Sequence, residues 1–155
     1  MPKVIYTNAK GLYQESGSGV DLTSGAGMRY RKTEVDGSGG NVTLVAADSG
    51  KVVVLSGGAR TVTLPDHAIA AAGWFVTIIA GSTHNHVLDT GADDILYGSV
   101  IHRTGGTTVA VQSVEAQQKI TCTAGLIGDR IDVYCDGTYF HVSMVCDAAV
   151  TLATS

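Results

Sequence analysis

Two histidines one residue apart, His84-Asn85-His86, point the same way if they lie on a strand, and imidazoles so placed are ligands for a transition metal. Asp89, Asp93, Asp94 and His102 follow, but their spacings match no zinc or calcium pattern, and Gly81-Ser82-Thr83-His84-Asn85 has the composition of a plain turn. The expectation is a turn with no metal and no cofactor, and the sequence leaves an ion at His84 and His86 open. Asp93-Asp94 supplies half of a carboxylate pair for acid–base work. No second carboxylate stands in a recognisable context, so Gly91-Ala92-Asp93-Asp94 reads as a connection between strands. The three cysteines, Cys122, Cys135 and Cys146, are odd in number and form no CxxC pair, which argues against a disulfide framework or a structural zinc site. They read as small buried apolar residues, and nothing local to Ile120-Thr121-Cys122-Thr123 activates a nucleophile. Trp74-Phe75 opens the apolar run Val76-Thr77-Ile78-Ile79 and reads as core, although an exposed pair would stack on a sugar ring. With no GxSxG, HExxH or GxxxxGK[ST] motif, catalysis has no candidate residue, and the chain reads as non-enzymatic.

Composition bounds the elements that must carry these residues. The chain has 155 residues, 15% charged and 45% hydrophobic, with 20 Gly and 2 Pro, which describes an apolar, turn-rich β protein large enough for one core. So few charges leave a surface of Thr, Ser, Asn and Gly, part of which partners are expected to cover. A net charge of −4 without a run of Lys or Arg argues against nucleic-acid binding. No stretch reaches the length of a membrane span, and Met1-Pro2-Lys3-Val4-Ile5-Tyr6-Thr7-Asn8 lacks the apolar core of a signal peptide, so synthesis in a cytosol is expected.

Residues 1–40 scatter apolar anchors (Ile5, Tyr6, Leu12, Tyr13, Val20, Leu22, Met28 and Tyr30) among glycines and serines without a period of 2 or 3.6, and read as an extended N-terminal arm that orders on a larger surface. Asp36-Gly37-Ser38-Gly39-Gly40 closes the arm as a flexible hinge or wide turn. Residues 41–155 read as a single β domain. Its strand-like runs are Asn41–Ala47, Lys51–Leu55, Arg60–Leu64, Trp74–Ala80, His86–Asp89, Ile95–His102, Thr107–Ser113, Lys119–Ala124, Arg130–Cys135 and Thr138–Cys146. Alternation in Thr61-Val62-Thr63-Leu64 and in Thr107-Thr108-Val109-Ala110-Val111 places aliphatic side chains on one face, toward the core of an antiparallel sheet. Asp136-Gly137 predicts a two-residue hairpin turn that pairs Cys135 with Thr138, Val133 with Phe140 and Ile131 with Val142. One short helix is expected over Asp66–Ala72, with Asp66 as N-cap and Gly73 as stop. The fold class is therefore all-β: an antiparallel sandwich, jelly roll or small barrel with an N-terminal arm and at most one short helix.

The stretches Ala47-Asp48-Ser49-Gly50-Lys51-Val52-Val53-Val54-Leu55, Arg60-Thr61-Val62-Thr63-Leu64-Pro65, Ala72-Gly73-Trp74-Phe75-Val76-Thr77-Ile78 and Gly91-Ala92-Asp93-Asp94-Ile95-Leu96-Tyr97-Gly98 resemble a pattern of β-rich virion proteins of tailed bacteriophages. These include head decoration (cement) proteins and head or tail fibre modules, and the resemblance covers roughly residues 41–146. It implies a virion structural protein made in the host cytoplasm. An anchor-bearing arm before one domain, with no heptads or shaft repeats, points within that group to a decoration protein on the capsid surface. The expected partners are further copies, as a homotrimer, and the major capsid protein, with Ile5, Tyr6, Leu12, Tyr13, Leu22, Met28 and Tyr30 as contacts and neither nucleic acid nor membrane involved. The alternative is a tail-fibre or spike module for host recognition, with Trp74, Tyr97 and Tyr134 as glycan platforms. A small hydrolase acting on cell-surface polymer would need a carboxylate pair, and only Asp93 and Asp94 could begin one.

Overall fold

The computed structural model describes residues 4–7, 11–14, 34–91, 95–104 and 108–154. The chain divides into two units, Met1–Arg31 and Lys32–Ser155. In the first, β1 (Val4–Thr7) and β2 (Gly11–Gln14) form an antiparallel hairpin with Ile5 opposite Tyr13 and Tyr6 opposite Leu12. The segment read as an extended arm thus carries local pairing, favoured by the β-branched and aromatic Val4-Ile5-Tyr6-Thr7. Leu22, Met28 and Tyr30 lie outside the described residues.

The second unit begins with β3 (Glu34–Asp36), inside the span assigned from sequence to the arm, and continues through β4 (Val42–Thr43), β5 (Val52–Leu55), β6 (Arg60–Thr63), β7 (Phe75–Ala80) and β8 (His84–Asp89). Then follow β9 (Leu96–Thr104), β10 (Thr108–Gln117), β11 (Lys119–Gly125), β12 (Arg130–Cys135), β13 (Phe140–Cys146) and β14 (Ala149–Ala153). They form a seven-stranded sheet of order β10-β9-β13-β12-β7-β5-β3 and a five-stranded sheet of order β14-β11-β8-β6-β4, sharing one apolar core. The all-β class holds, and the pairing within it is mixed. From β3 to β8 the chain changes sheet at every strand, so β3, β5 and β7 stack in parallel, as do β4, β6 and β8. That two-sheeted coil cannot be antiparallel, because each return to a sheet repeats the direction of the last. The later strands close it by antiparallel pairing, apart from β13 parallel to β9.

Register explains the coil. Val35, Val53, Ile78, Ile131, Met144 and Val100 are successive partners across six strands of the large sheet. Val42, Val62, Leu88, Ile120 and Leu152 form the corresponding row of the small sheet. Alternation puts each row on one face, and the two buried rows supply much of the core, each buried aliphatic contributing about 1.5–3 kcal/mol. Trp74 is 2% exposed and meets the fully buried Phe140 edge-on, centroids 5.9 Å apart.

Several sequence expectations change in detail. The hairpin after β12 pairs Cys135 with Phe140, Val133 with Val142 and Ile131 with Met144. Asp136 does not take the positive φ a two-residue turn would need; its Oδ1 instead accepts from the Thr138 and Tyr139 amides at 2.7 and 2.8 Å, making a longer loop. The shift is two residues, so every side chain keeps its face and Ile131, Val133, Cys135, Phe140, Val142 and Met144 are all buried. The helix is a single turn, His67–Ala70, capped by Asp66 Oδ1 accepting from Ala68 N at 2.7 Å. The run Asn41–Ala47 shortens to β4, because the Asp48 carboxylate accepts from Val45 N and Lys51 Nζ at 2.8 and 2.6 Å and closes a 3₁₀ turn at Ala46–Asp48. Val109 and Val111 face outward instead of into the core. Among the described residues, no helix is long and apolar enough to cross a membrane.

Candidate functional site

The outer face of the seven-stranded sheet is built from the residues that alternate with its buried rows. Phe75, Tyr134, His141 and Tyr97 are successive partners on β7, β12, β13 and β9 and form an aromatic row. Tyr139 stands edge-on to Tyr97 at 5.1 Å, and Tyr134 lies 6.3 Å from the His141 ring. His141 Nε2 donates to Asp136 Oδ2 at 2.7 Å, which orients the imidazole. The His141 bond, followed by those from the Tyr139 and Thr138 amides, holds the Asp136 carboxyl down at about 2.

The adjoining row is polar: Thr77, Asp132, Ser143, Ser99 and Ser113. Asp132 Oδ1 accepts from Thr77 Oγ1 at 2.7 Å and from Arg130 Nη2 at 2.8 Å. Between these rows runs a shallow groove of about 450 Å³ lined by Phe75, Thr77, Asp132, Tyr134, His141 and Ser143. A third row carries Arg130, Val145, Ile101 and Val111. Its three aliphatics are 57%, 42% and 71% exposed, and Val109 extends the strip along β10, the edge strand. Chemically this face can stack planar or sugar rings on one side and bury aliphatic area on the other.

A second constellation lies inside. In the small sheet His86 on β8 is directly opposite Cys122 on β11. Cys146, at the end of β13 in the other sheet, and Asp129, in the β11–β12 loop, complete a cluster whose ligand atoms, Cys122, Asp129 and Cys146, lie within 4.8 Å of one another. Cys122 Sγ is 3.7 Å from Asp129 Oδ2. Asp129 is aimed by two amides, Oδ2 accepting from Leu126 N and Oδ1 from Asp147 N, each at 2.9 Å. The neighbouring Cys146 thiol and burial push Cys122 far up, while the Cys122 thiol draws Cys146 down. Burial pushes His86 down.

The sequence-selected residues are thereby separated. His84 is exposed and His86 buried, because β8 enters the sandwich between them; Asn85 is exposed, and its Oδ1 accepts from Ala124 N at 2.6 Å. Asp89 faces Lys119 Nζ at 3.1 Å, and Asp93 and Asp94 lie outside the described residues. Trp74 is core, with Nε1 donating to Val45 O at 3.3 Å, whereas Phe75, Tyr97 and Tyr134 share the outer face. The three cysteines are buried and form no disulfide, as small apolar residues would, but two of them converge on Asp129. Sequence reasoning missed Asp129, which no local motif marks; the hairpin pattern does turn His141 outward with Asp132, Tyr134 and Ser143, but nothing in it marks His141 as a site residue. The outward aliphatics were visible only as alternation whose covered face is undetermined. No protein-family model matches the chain, and no curated protein matches it.

Proposed function

We propose that this chain is a virion structural protein, a capsid decoration protein that binds the outside of a head shell as a symmetric oligomer and performs no catalysis. The observation that supports it is the exposed aliphatic row Val111, Ile101 and Val145, flanked by Val109, on the β10 edge of the large sheet. Such a strip is costly on a protein with few charges unless a second surface covers it, and a second copy is the occupant proposed here. The resemblance of residues 41–146 to virion β proteins supplies the setting, and the N-terminal segment supplies the bridge to the capsid protein. Many equivalent sites would make modest single contacts sufficient. The test is the pair of substitutions Val111→Glu and Val145→Glu. In a chain that still melts cooperatively, they are expected to give monomers in light scattering and to abolish binding to expanded capsids. An unchanged oligomer and full capsid binding would refute the reading.

The aromatic row favours a second reading, a host-recognition module of a tail fibre or spike. Phe75, Tyr134, His141 and Tyr97 beside Asp132 and Ser143 pair ring faces with hydroxyl-binding groups, as a glycan platform requires. Glycan-array binding lost in Tyr134→Ala, with antibody labelling at the tail, would establish it over the decoration role.

A further inference from the structure

We propose that the clustered donors of Cys122, Asp129 and Cys146 form a binding site for a thiophilic divalent cation of the zinc class, and that His86, directly opposite Cys122 but outside that cluster, turns in as fourth donor when the ion binds. Two sulfurs, a carboxylate oxygen and an imidazole nitrogen are the donor types such ions take. The three atoms from Cys122, Asp129 and Cys146 lie within 4.8 Å of one another, and the 3.7 Å between Cys122 Sγ and Asp129 Oδ2 is close to the roughly 3.5 Å separating sulfur and oxygen ligands on a tetrahedral ion. The supporting contacts are also those of a ligand set. Both oxygens of Asp129 are oriented by backbone amides. His86 Nε2 lies 3.3 Å from Ser82 O, and because a carbonyl only accepts, the proton sits on Nε2 and leaves a lone pair on Nδ1. That Nδ1 is buried and has no hydrogen-bond partner, in a residue 7% exposed. His86, Cys122 and Asp129 are the donor-bearing residues at one side of a small, otherwise mostly aliphatic cavity of about 20 Å³, with Cys146 just outside its lining. An unpartnered imidazole nitrogen in such a place is costly unless something binds it. The ion would clip β13 of the large sheet and the β11–β12 loop to β11 and β8 of the small one. It would thus lock one end of the sandwich.

The test uses the full-length protein, reduced, stripped with a chelator and titrated without oxygen with Co(II), whose spectrum reports thiolate ligation. The expected result is thiolate-to-cobalt charge-transfer absorption saturating at one ion per chain, displacement by Zn(II), and a higher melting temperature with Zn(II) than without metal. C146S is expected to lose the charge-transfer band at this stoichiometry. Since replacing a buried thiol threatens folding, the wild-type titration decides by itself. A folded, reduced wild-type chain that develops no thiolate band and gains no thermal stability from zinc overturns the site. H86Q isolates the fourth donor: an affinity for Co(II) at least about tenfold weaker supports it, and an unchanged affinity overturns that assignment.

Discussion

Gly98 stands directly opposite Val142 in the parallel β9–β13 ladder, and a methyl group on Gly98 would lie 1.9 Å from the Val142 carbonyl oxygen. The residue also holds φ at +147°, where a side chain is strained. This close approach lets β9 join β13 in parallel, and hence lets the outer rows continue from Tyr134 and His141 to Tyr97.

Gly98→Ala is therefore expected to destabilise the fold by about 3 kcal/mol or more, measured by denaturant unfolding. The control is Gly39→Ala, where an added Cβ meets nothing within 4 Å and φ is not positive, and it is expected to change stability by less than about 1 kcal/mol. Equal effects would mean that the β9–β13 approach is not tight.

Trp74 and Phe75 are neighbours in sequence with opposite fates. Trp74→Ala empties a core position against Phe140 and is expected to cost about 3–5 kcal/mol. Phe75→Ala, on the outer face, is expected to cost less than about 1 kcal/mol. Thermal melts of both variants check this, and a reversed order would contradict the inward turn of Trp74.

The Asp136 carboxyl titrates at about 2 in the folded chain against an ordinary 3.8. A depressed folded value means that its stabilisation is complete above about pH 4 and is lost as pH falls from there toward 2. The β12–β13 loop is expected to loosen in that window, seen as falling protection of the Thr138 and Tyr139 amides, that is, exchange relative to an unstructured peptide at the same pH. Asp136→Asn should remove that pH dependence, and protection that stays constant through the window in the native sequence would contradict the bonding described.

Deleting Met1–Gly19 cuts only within the first unit. The truncated chain is expected to keep the circular dichroism and melting of the β unit while losing binding to expanded capsids. Undiminished binding would remove Ile5, Tyr6, Leu12 and Tyr13 from the proposed contacts.

Local chemistry made much of the β unit legible. Strand runs such as Arg130–Cys135 and Arg60–Leu64 match the structure closely, because alternation and turn residues act over a few residues. The Asp136 hairpin shows both the strength and the limit of that reasoning. A period of two preserved every buried face through a two-residue error in register, while the Asp136 side chain, by accepting from both the Thr138 and Tyr139 amides, chose the longer of the turns that Asp-Gly permits. The strands β3 and β14 escaped notice because short, mostly polar or small segments become strands only when a neighbour offers its edge.

By itself, the sequence determined that this is an all-β chain, which residues share a face, and that neither charge nor motif marks a catalytic centre. Only the tertiary structure decided which strands are neighbours, and with that everything placed at a distance along the chain: the parallel coil, the outward aliphatic row of Val111, Ile101 and Val145, and the meeting of Cys122, Asp129 and Cys146. The physical reason is that alternation distinguishes two faces without saying which one will be covered. Covering is settled by long-range pairing, where burial of the stacked rows from Val35 to Val100 outweighs local preference.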